Sequence, residues 1–367
     1  MKHRTPPALA HLGDALAALE ASHRLRRRAA PLAQGELSFS SNDYLGLASE
    51  PILAGASGAG ASRLVAGERS EHVALEVALA AWSGCEGALL FASGYAANVG
   101  LLSALLGPDD LVISDALNHA SLIDGIRLAR ARPTVVPHLD LGAVERALGD
   151  RGERRAWVVT ESYFSMDADS PDLAALRALC DRHGAGLLLD ESHALGVLGP
   201  EGRGAAAAAG VTPEAIMGTL GKAFGASGAF VVGCQTLVDW LWNRARSFVF
   251  STGTSPALAA TGSARLAQAA AEPWRRVRAI ALAERLRNGL RALGHEAPGY
   301  GPIVPWILGS ETRALEAAKA LGEAGLHAVA IRPPTVPAGT SRVRFAMTAR
   351  HSEEDVDRVL SAARSVG

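Results

Sequence analysis

The sequence predicts an α/β fold: a large, mostly parallel sheet with helices on both faces, followed by a smaller α/β unit. Three observations carry this. Short apolar runs (88–91, 111–115, 135–137, 157–160, 187–190, 216–219) alternate with helical stretches, the rhythm of βαβ units. Polar groups gather just beyond those runs, where open α/β sheets take their ligands. From about residue 295 the order becomes β-α-β-β-α, which reads as a second unit. The chain has 367 residues, 49% of them hydrophobic, enough for one large core and a lesser one. The expected partition is an N-terminal arm (1–45), a large domain (46–270) and a small C-terminal α/β domain (271–367).

In order, residues 5–34 read as a basic helix, with Leu9, Leu12, Leu16 and Leu19 at helical spacing. The run Arg26-Arg27-Arg28 is either a solvated face or a reach toward a carboxylate or phosphate. Ser40 to Leu47 is a loop leaving a short strand, 55–67 a Gly/Ala/Ser-rich connector and 70–83 an amphipathic helix. After strand 88–91, Ser93-Gly94-Tyr95 opens a helix whose free N–H groups suit a phosphate. Tyr95 stacks on a ring or belongs to the core. His119, beyond strand 111–115, caps a helix or lies flat on a ring. Glu161 to Asp169 follows strand 157–160, and Pro171 starts a helix through Leu173, Leu176 and Leu179. Strand 187–190 delivers Asp190 and His193, and 205–209 is helical. An apolar strand at 228–233 sits at hairpin distance from Lys222 and is expected to be antiparallel. One long helix spans roughly 256–293. Strand 303–307, helix 311–324, strand 328–331, a proline-stiffened loop (332–340), an alternating strand (343–347) and a helix (352–365) complete the chain.

Composition excludes several classes. With 36 basic and 37 acidic residues the net charge is −1, which favours neither nucleic acid nor an anionic membrane. Cys85, Cys180 and Cys234 are scattered and form no CxxC or metal spacing, as expected for free thiols in a cytoplasmic protein. No apolar run approaches the ~20 residues of a membrane span, and no signal-peptide core follows the basic start. A GxGxxG turn after the first strand, the mark of a dinucleotide-binding enzyme, is missing.

The chemistry converges on two stretches. Gly221-Lys222-Ala223-Phe224-Gly225 sets one lysine among small residues, and Asp190-Glu191-Ser192-His193 ends a buried strand upstream. A lysine able to hold a carbonyl cofactor as a Schiff base, with an aspartate on that cofactor's pyridine nitrogen, is the arrangement pyridoxal 5'-phosphate (PLP) requires. Five strand-end loops then supply a phosphate turn, a histidine, an acid/hydroxyl loop, Asp-x-x-His and the lysine, which makes an active site of the sheet edge.

From Leu25 onward the sequence resembles the α-oxoamine synthase family of fold-type I PLP-dependent transferases. The resemblance rests on SSNDYLGL (40–47), FSMD (164–167), GKAFG (221–225) and, most specifically, IRPPTVPAGTSRVR (331–344). It implies a homodimeric acyltransferase of biotin synthesis that condenses L-alanine with a pimeloyl thioester, carried by coenzyme A or an acyl carrier protein, with loss of CO2. Residue by residue it implies that Lys222 binds PLP and moves the Cα proton, Asp190 pairs with the pyridinium nitrogen, and His193 and Ser165 lie at the phenolate oxygen. His119 would stack on the ring, and Gly94, Tyr95 and Thr219 would hold the phosphate with Thr252 of a partner subunit. Asn42 would lie beside the substrates, Arg332 would hold the amino-acid carboxylate, and Arg26 and Thr335 would touch substrate or product. Two departures stand out: Asp-Glu-Ser-His where the family has alanine third, and a short 48–62 segment. A sister synthase using glycine, or a silent scaffold of the same fold, are the rival expectations. A silent scaffold would be expected to have lost the lysine, whereas Lys222, Asp190 and His193 are all retained here.

Overall fold

The structure is a computed structural model that describes residues 11–26, 37–51, 53, 55–152, 155–364 and 366. Helix α1 (His11–Ala21) and strand β1 (Leu37–Ser38) lead to α2 (Ser70–Ser83) and β2 (Gly87–Phe91). Then come α3 (Gly94–Leu105), β3 (Leu111–Asp115), α4 (Ala120–Leu128), β4 (Pro133–Val136), α5 (Leu141–Gly149) and β5 (Ala156–Glu161). Next follow α6 (Leu173–His183), β6 (Gly186–Asp190), α7 (Ala205–Ala209), β7 (Ala215–Thr219), β8 (Ala229–Gly233), α8 (Gln235–Arg244) and α9 (Arg246–Val249). The remainder is α10 (Pro256–Ala271), α11 (Trp274–Ala292), β9 (Ile303–Gly309), α12 (Glu311–Glu323), β10 (Leu326–His327), β11 (Val329–Ile331), β12 (Ser341–Ala346) and α13 (Glu353–Ala363).

Seven strands form one sheet in the order β2-β8-β7-β6-β5-β3-β4. Strand β8 runs antiparallel to both neighbours, and every other pairing is parallel. Strands β2, β3, β5, β6 and β7 therefore all end at one edge. Their apolar runs are continuous because both faces are covered. Leu187, Leu189, Phe230 and Val232 enter one core, while Leu188, Val231, Met217 and Phe91 enter another on the opposite face. Strands β2 and β4 are the two edges, and β4 starts with Pro133, which an edge tolerates because no ladder N–H is needed there. A three-stranded antiparallel sheet, β11-β12-β9, packs with α11, α12 and α13 around a third core that includes Trp306, Phe345 and Leu286.

Local chemistry sets the ends of these elements. Asp140 and Asp172 cap α5 and α6 by accepting backbone N–H bonds from Ala143 and Ala175, so α6 begins at Leu173 rather than at Pro171. Ser352 and Asp355 form a reciprocal capping box on α13.

Several expectations are corrected. The long helix 256–293 is two helices, because Pro273 lacks an N–H and pushes Glu272 out of the helical region (φ −116°, ψ 60°). The basic helix is seen only as His11–Ala21; residues 1–10 and 27–36, with Leu9, Arg27 and Arg28, lie outside the described residues. The connector 55–67 holds a π-helical turn at Arg63–Gly67. There the buried Arg63 guanidinium meets Glu68 and Glu76 at 2.6 and 2.5 Å, and those carboxylates hold its pKa up. Strand 328–331 is β11 (Val329–Ile331), and an unanticipated two-residue strand just before it, β10, pairs with β1. Strand 343–347 is Ser341–Ala346 and is buried on both faces, arginines included.

Candidate active site

Lys222 sits three residues past β7, in a loop closed by Gly225 N–H to Lys222 C=O (3.0 Å). Gly225 has φ +56°, and a Cβ there would stand 2.4 Å from the Ala48 nitrogen. Only glycine lets the lysine loop and the 42–48 loop approach this closely. Asp43 pins the second loop by accepting N–H bonds from Leu47 (2.8 Å) and Ala48 (2.9 Å). Burial lowers the Lys222 pKa to about 8, aided by the Arg344 charge and opposed by Asp190 and Glu161. At pH 7 about one amine in ten is then unprotonated and able to attack a carbonyl.

Asp190 ends β6, buried, accepting N–H bonds from Asn98 Nδ2 (2.8 Å) on Oδ2 and from Ser192 N (2.9 Å) on Oδ1. His193 is also buried, and its Nδ1 meets Tyr44 Oη at 2.7 Å. Burial, with the Lys222 and Arg344 charges, holds its pKa well below the usual imidazole value. His193 is thus a neutral hydrogen-bond partner rather than a cation. Glu161, opposite Asp190 in the β5–β6 register, is pushed up to about 8 by burial and by the Asp190 carboxylate. It accepts the backbone N–H of His119 at 2.9 Å.

The residues expected at the phosphate lie in two places. Ser93 caps α3 with its side chain, and a Cβ built on Gly94 would lie 3.9 Å from Thr219 Cβ. The helix N-terminus, the missing side chain at Gly94 and the Thr219 hydroxyl share one place, which suits an anion. The Tyr95 ring is half-exposed and its hydroxyl donates to Asp124 at 2.7 Å. Thr252 is exposed in the loop before α10, where Gly253 N–H bonds the Ala61 carbonyl.

Other candidates fall into two groups. Asn42 and Ser165 join the lysine cluster through Arg344 of β12, whose Nε donates to the Ser165 carbonyl (2.5 Å) and whose Nη2 donates to Asn42 Oδ1 (3.0 Å) and Tyr44 Oη (3.4 Å). Arg26, Arg332 and Thr335 form a separate group: Arg26 Nη2 donates to Thr335 Oγ1 at 3.1 Å, and Arg332 donates to the His23 carbonyl. Sequence reasoning missed Arg344, Tyr44 and Asn98. The one available signal was that Arg342 and Arg344 occupy the same face of a strand, a pattern that ordinarily marks a solvated side. A cavity of about 980 Å³ opens at the opposite edge of the sheet, lined by Glu86, Trp157, Pro213 and Trp240, and holds none of these residues.

A sheet edge thus joins an amine poised to attack carbonyls, a carboxylate set by two N–H donors, an anion seat and a buried guanidinium. The aminotransferase class I and II family profile matches residues 34–362. The 8-amino-7-oxononanoate synthase of Anaeromyxobacter sp. (strain K) is 48% identical over 98% of this chain and 96% of its own length. That of Halorhodospira halophila is 47% identical over 88% and 84%. Among solved structures, Sphingomonas wittichii serine palmitoyltransferase superposes with a TM-score of 0.88 at 28% identity, covering 100% of this chain and 98% of that one. Serine palmitoyltransferase from S. paucimobilis with a bound PLP–myriocin aldimine gives 0.90 at 27%, with the same coverage.

Proposed function

The chain belongs to the aminotransferase class I and II family, and on that premise we propose that it condenses L-alanine with a pimeloyl thioester, releasing CO2 and forming 8-amino-7-oxononanoate. It is a PLP-dependent acyltransferase of the α-oxoamine synthase type, and its named relatives are 8-amino-7-oxononanoate synthases. The observation that carries the reading is the cluster of Lys222, Asp190, His193 and Arg344 around one sheet edge.

The residues fit PLP. Lys222 supplies an amine of lowered pKa, the Gly94–Thr219 corner sets a helix N-terminus beside a residue without a side chain, and Asp190 has a carboxylate held in place by two N–H donors. When bound, PLP supplies a carbonyl that condenses with amines and a protonated pyridine ring that withdraws electron density from Cα. Asp190 would keep that ring nitrogen protonated: at 4 Å and an effective dielectric of 20 an ion pair is worth about 4 kcal/mol. His193, neutral and anchored by Tyr44, would donate to the phenolate oxygen beside Ser165. Lys222, once displaced by the amino acid, would take the Cα proton and later return it.

Two arginines compete for the amino-acid carboxylate. Both carry protein bonds, Arg344 to Ser165, Asn42 and Tyr44 and Arg332 to the His23 carbonyl, but Arg344 is 6% exposed and shares the field of Lys222. We assign the carboxylate to Arg344, whose fork also fixes which Cα bond stands perpendicular to the ring. The Arg26–Thr335–Arg332 group would then face the acyl chain or the product. Thr252, exposed here, would reach the phosphate held by a second copy, making the enzyme a homodimer, and we place it in the cytoplasm.

Purified protein loaded with PLP, offered L-alanine with pimeloyl-CoA or pimeloyl-acyl carrier protein, tests this directly. The expected result is stoichiometric CO2 and a product of the mass of 8-amino-7-oxononanoate. Faster turnover of glycine, or none with either pimeloyl donor, overturns the substrate assignment.

A further inference from the structure

Asn98 of α3 and Ser121 of α4 are both 1% exposed, and beyond the bond from Asn98 to Asp190 the site chemistry above gives them no role. They stand in line between two residues that do have one. Asn98 Nδ2 donates to Asp190 Oδ2 at 2.8 Å and to Ser121 Oγ at 2.9 Å, and Ser121 Oγ lies 2.7 Å from His119 Nδ1. The orientation of the Asn98 amide follows from charge: a flipped amide would set its carbonyl oxygen against the Asp190 carboxylate. Both N–H bonds are therefore spent, and Asn98 Oδ1 has no partner among the described residues.

Proton positions then follow along the line. Ser121 Oγ accepts from Asn98, so its own proton is free to go to His119 Nδ1. The Ser121 backbone N–H also points at Nδ1, at 3.2 Å, making the imidazole the cap of α4. Two donors aimed at one ring nitrogen require that nitrogen to be unprotonated. A cation at a helix N-terminus would also oppose the helix dipole. Close packing of α3 on α4 keeps the line short: a Cβ at Gly125 would stand 2.9 Å from Leu102 Cβ and 3.1 Å from the Asn98 carbonyl oxygen.

We propose that Asn98 and Ser121 are positioning residues that carry the orientation of Asp190 to His119 and hold His119 as the neutral tautomer with its proton on Nε2. His119 then presents a fixed N–H donor, not a cation, to whatever lies against its ring. The charged and titratable groups around it are Asp190 at the end of β6, Glu161 at the end of β5, Lys222 after β7 and His193. Burial and the Lys222 charge lower the His119 pKa, against the pull of Asp190, in the same direction as the two donors. The inference rests on the proposed reading of Asp190 and His119 as cofactor-facing groups.

Ring-¹⁵N histidine NMR of the full-length protein carrying PLP, and again after its removal, tests it, with His119→Asn assigning the resonances. The expected wild-type result is an unprotonated Nδ1 and a protonated Nε2 at neutral pH. Ser121→Ala should mix the tautomers and raise the His119 pKa by about 0.5–1 unit, the value of one lost hydrogen bond, and Ser121→Thr should restore both. Asn98→Ala, by freeing the Ser121 hydroxyl to turn, should shift the tautomers the same way. A protonated Nδ1 in the wild type overturns the proposal whether or not the alanine variants fold, as does a Ser121→Ala protein with unchanged tautomer and titration. PLP binding and turnover on the same wild-type sample decide the functional reading separately.

Discussion

The two sheets contribute to the site in opposite ways. The seven-stranded sheet places its chemistry beyond its strands: Asp190 at a strand end, Lys222 and His119 in the loops that follow. The three-stranded sheet uses a strand interior, where Arg342 and Arg344 project from β12 while Val343 and Phe345 enter its core. Arg342 holds Asp167 Oδ1 at 2.7 Å and the Met166 carbonyl at 2.7 Å; Arg344 holds Ser165, Asn42 and Tyr44. On the proposed reading, the first sheet offers groups that react and the second offers guanidinium forks that grip. Reactive groups need freedom at a loop, whereas a fork that must orient a carboxylate gains from a rigid strand.

The contrast yields a ranking of expected losses. Lys222→Ala should abolish turnover and leave no borohydride-reducible PLP on the chain, since no other lysine among the described residues stands at this edge; retained labelling of the chain with normal turnover would break the contrast outright. Asp190→Asn should keep PLP bound but slow Cα-proton exchange of L-alanine by about 10²–10³-fold, the loss of roughly 3–4 kcal/mol of charge interaction. An unchanged exchange rate would remove the carboxylate from the chemistry.

Smaller effects separate the two arginines. Arg344→Lys keeps a charge but loses the fork, so KM for L-alanine should rise about 10–100-fold with slower proton exchange. Arg332→Lys should raise it about threefold or less, because its bond is to a backbone carbonyl of the N-terminal segment. The reverse ranking would return the carboxylate to Arg332. The pH dependence of PLP capture belongs to the first sheet alone. With a lowered Lys222 pKa of about 8, the unprotonated fraction and hence the capture rate should rise about tenfold from pH 7 to 9; a flat profile would mean the amine is not the attacking group.

The smallest expected change is structural. His138 lies 2.9 Å from Asp115 and 3.2 Å from Asp169, and these carboxylates raise its pKa to about 10 against the cost of burial. A histidine whose folded pKa exceeds its unfolded one stabilises fully below the unfolded value, near pH 6.5, and loses that contribution as pH rises through 10. His138→Gln should lower Tm by about 2–4 °C at pH 6 and by less as pH rises toward 10. An equal loss at both ends would show that the pair stabilises through packing.

The strand-end half of the site is legible in the sequence because position along the chain marks it. A polar residue directly after a buried apolar run lands at the sheet edge where ligands sit, and Lys222, Asp190, His119 and Gly94 all stand in such places. Arg344 is not legible, because alternation of arginine with apolar residues means a wet face unless another body covers it, and coverage is a tertiary fact. Asn98 is hidden for a related reason. An asparagine inside an Ala/Leu helix carries no mark of the carboxylate it meets 92 residues later. The break at Pro273 is written in the sequence, yet the alanine-rich stretches on either side outweigh one proline when the segment is read as a helix.

Strand β8 also governs the order in which a nascent chain can become this molecule. It lies between β2 and β7, so residues 87–91 leave the ribosome with no sheet neighbour until residue 229 and its successors have been made. Strand β1 waits longer, for Leu326 and His327, and the Asn42–Tyr44 loop for Arg344 beyond them. Such long-range closures are slow, because the chain must lose its loop entropy before the contacts form. A polypeptide cut short before residue 326 would keep Lys222 and Asp190 yet lack Arg344, the residue proposed to hold the amino acid. On the proposed reading, competence arrives only with the last tenth of synthesis, and unfinished chains carry the lysine without the arginine that would direct it.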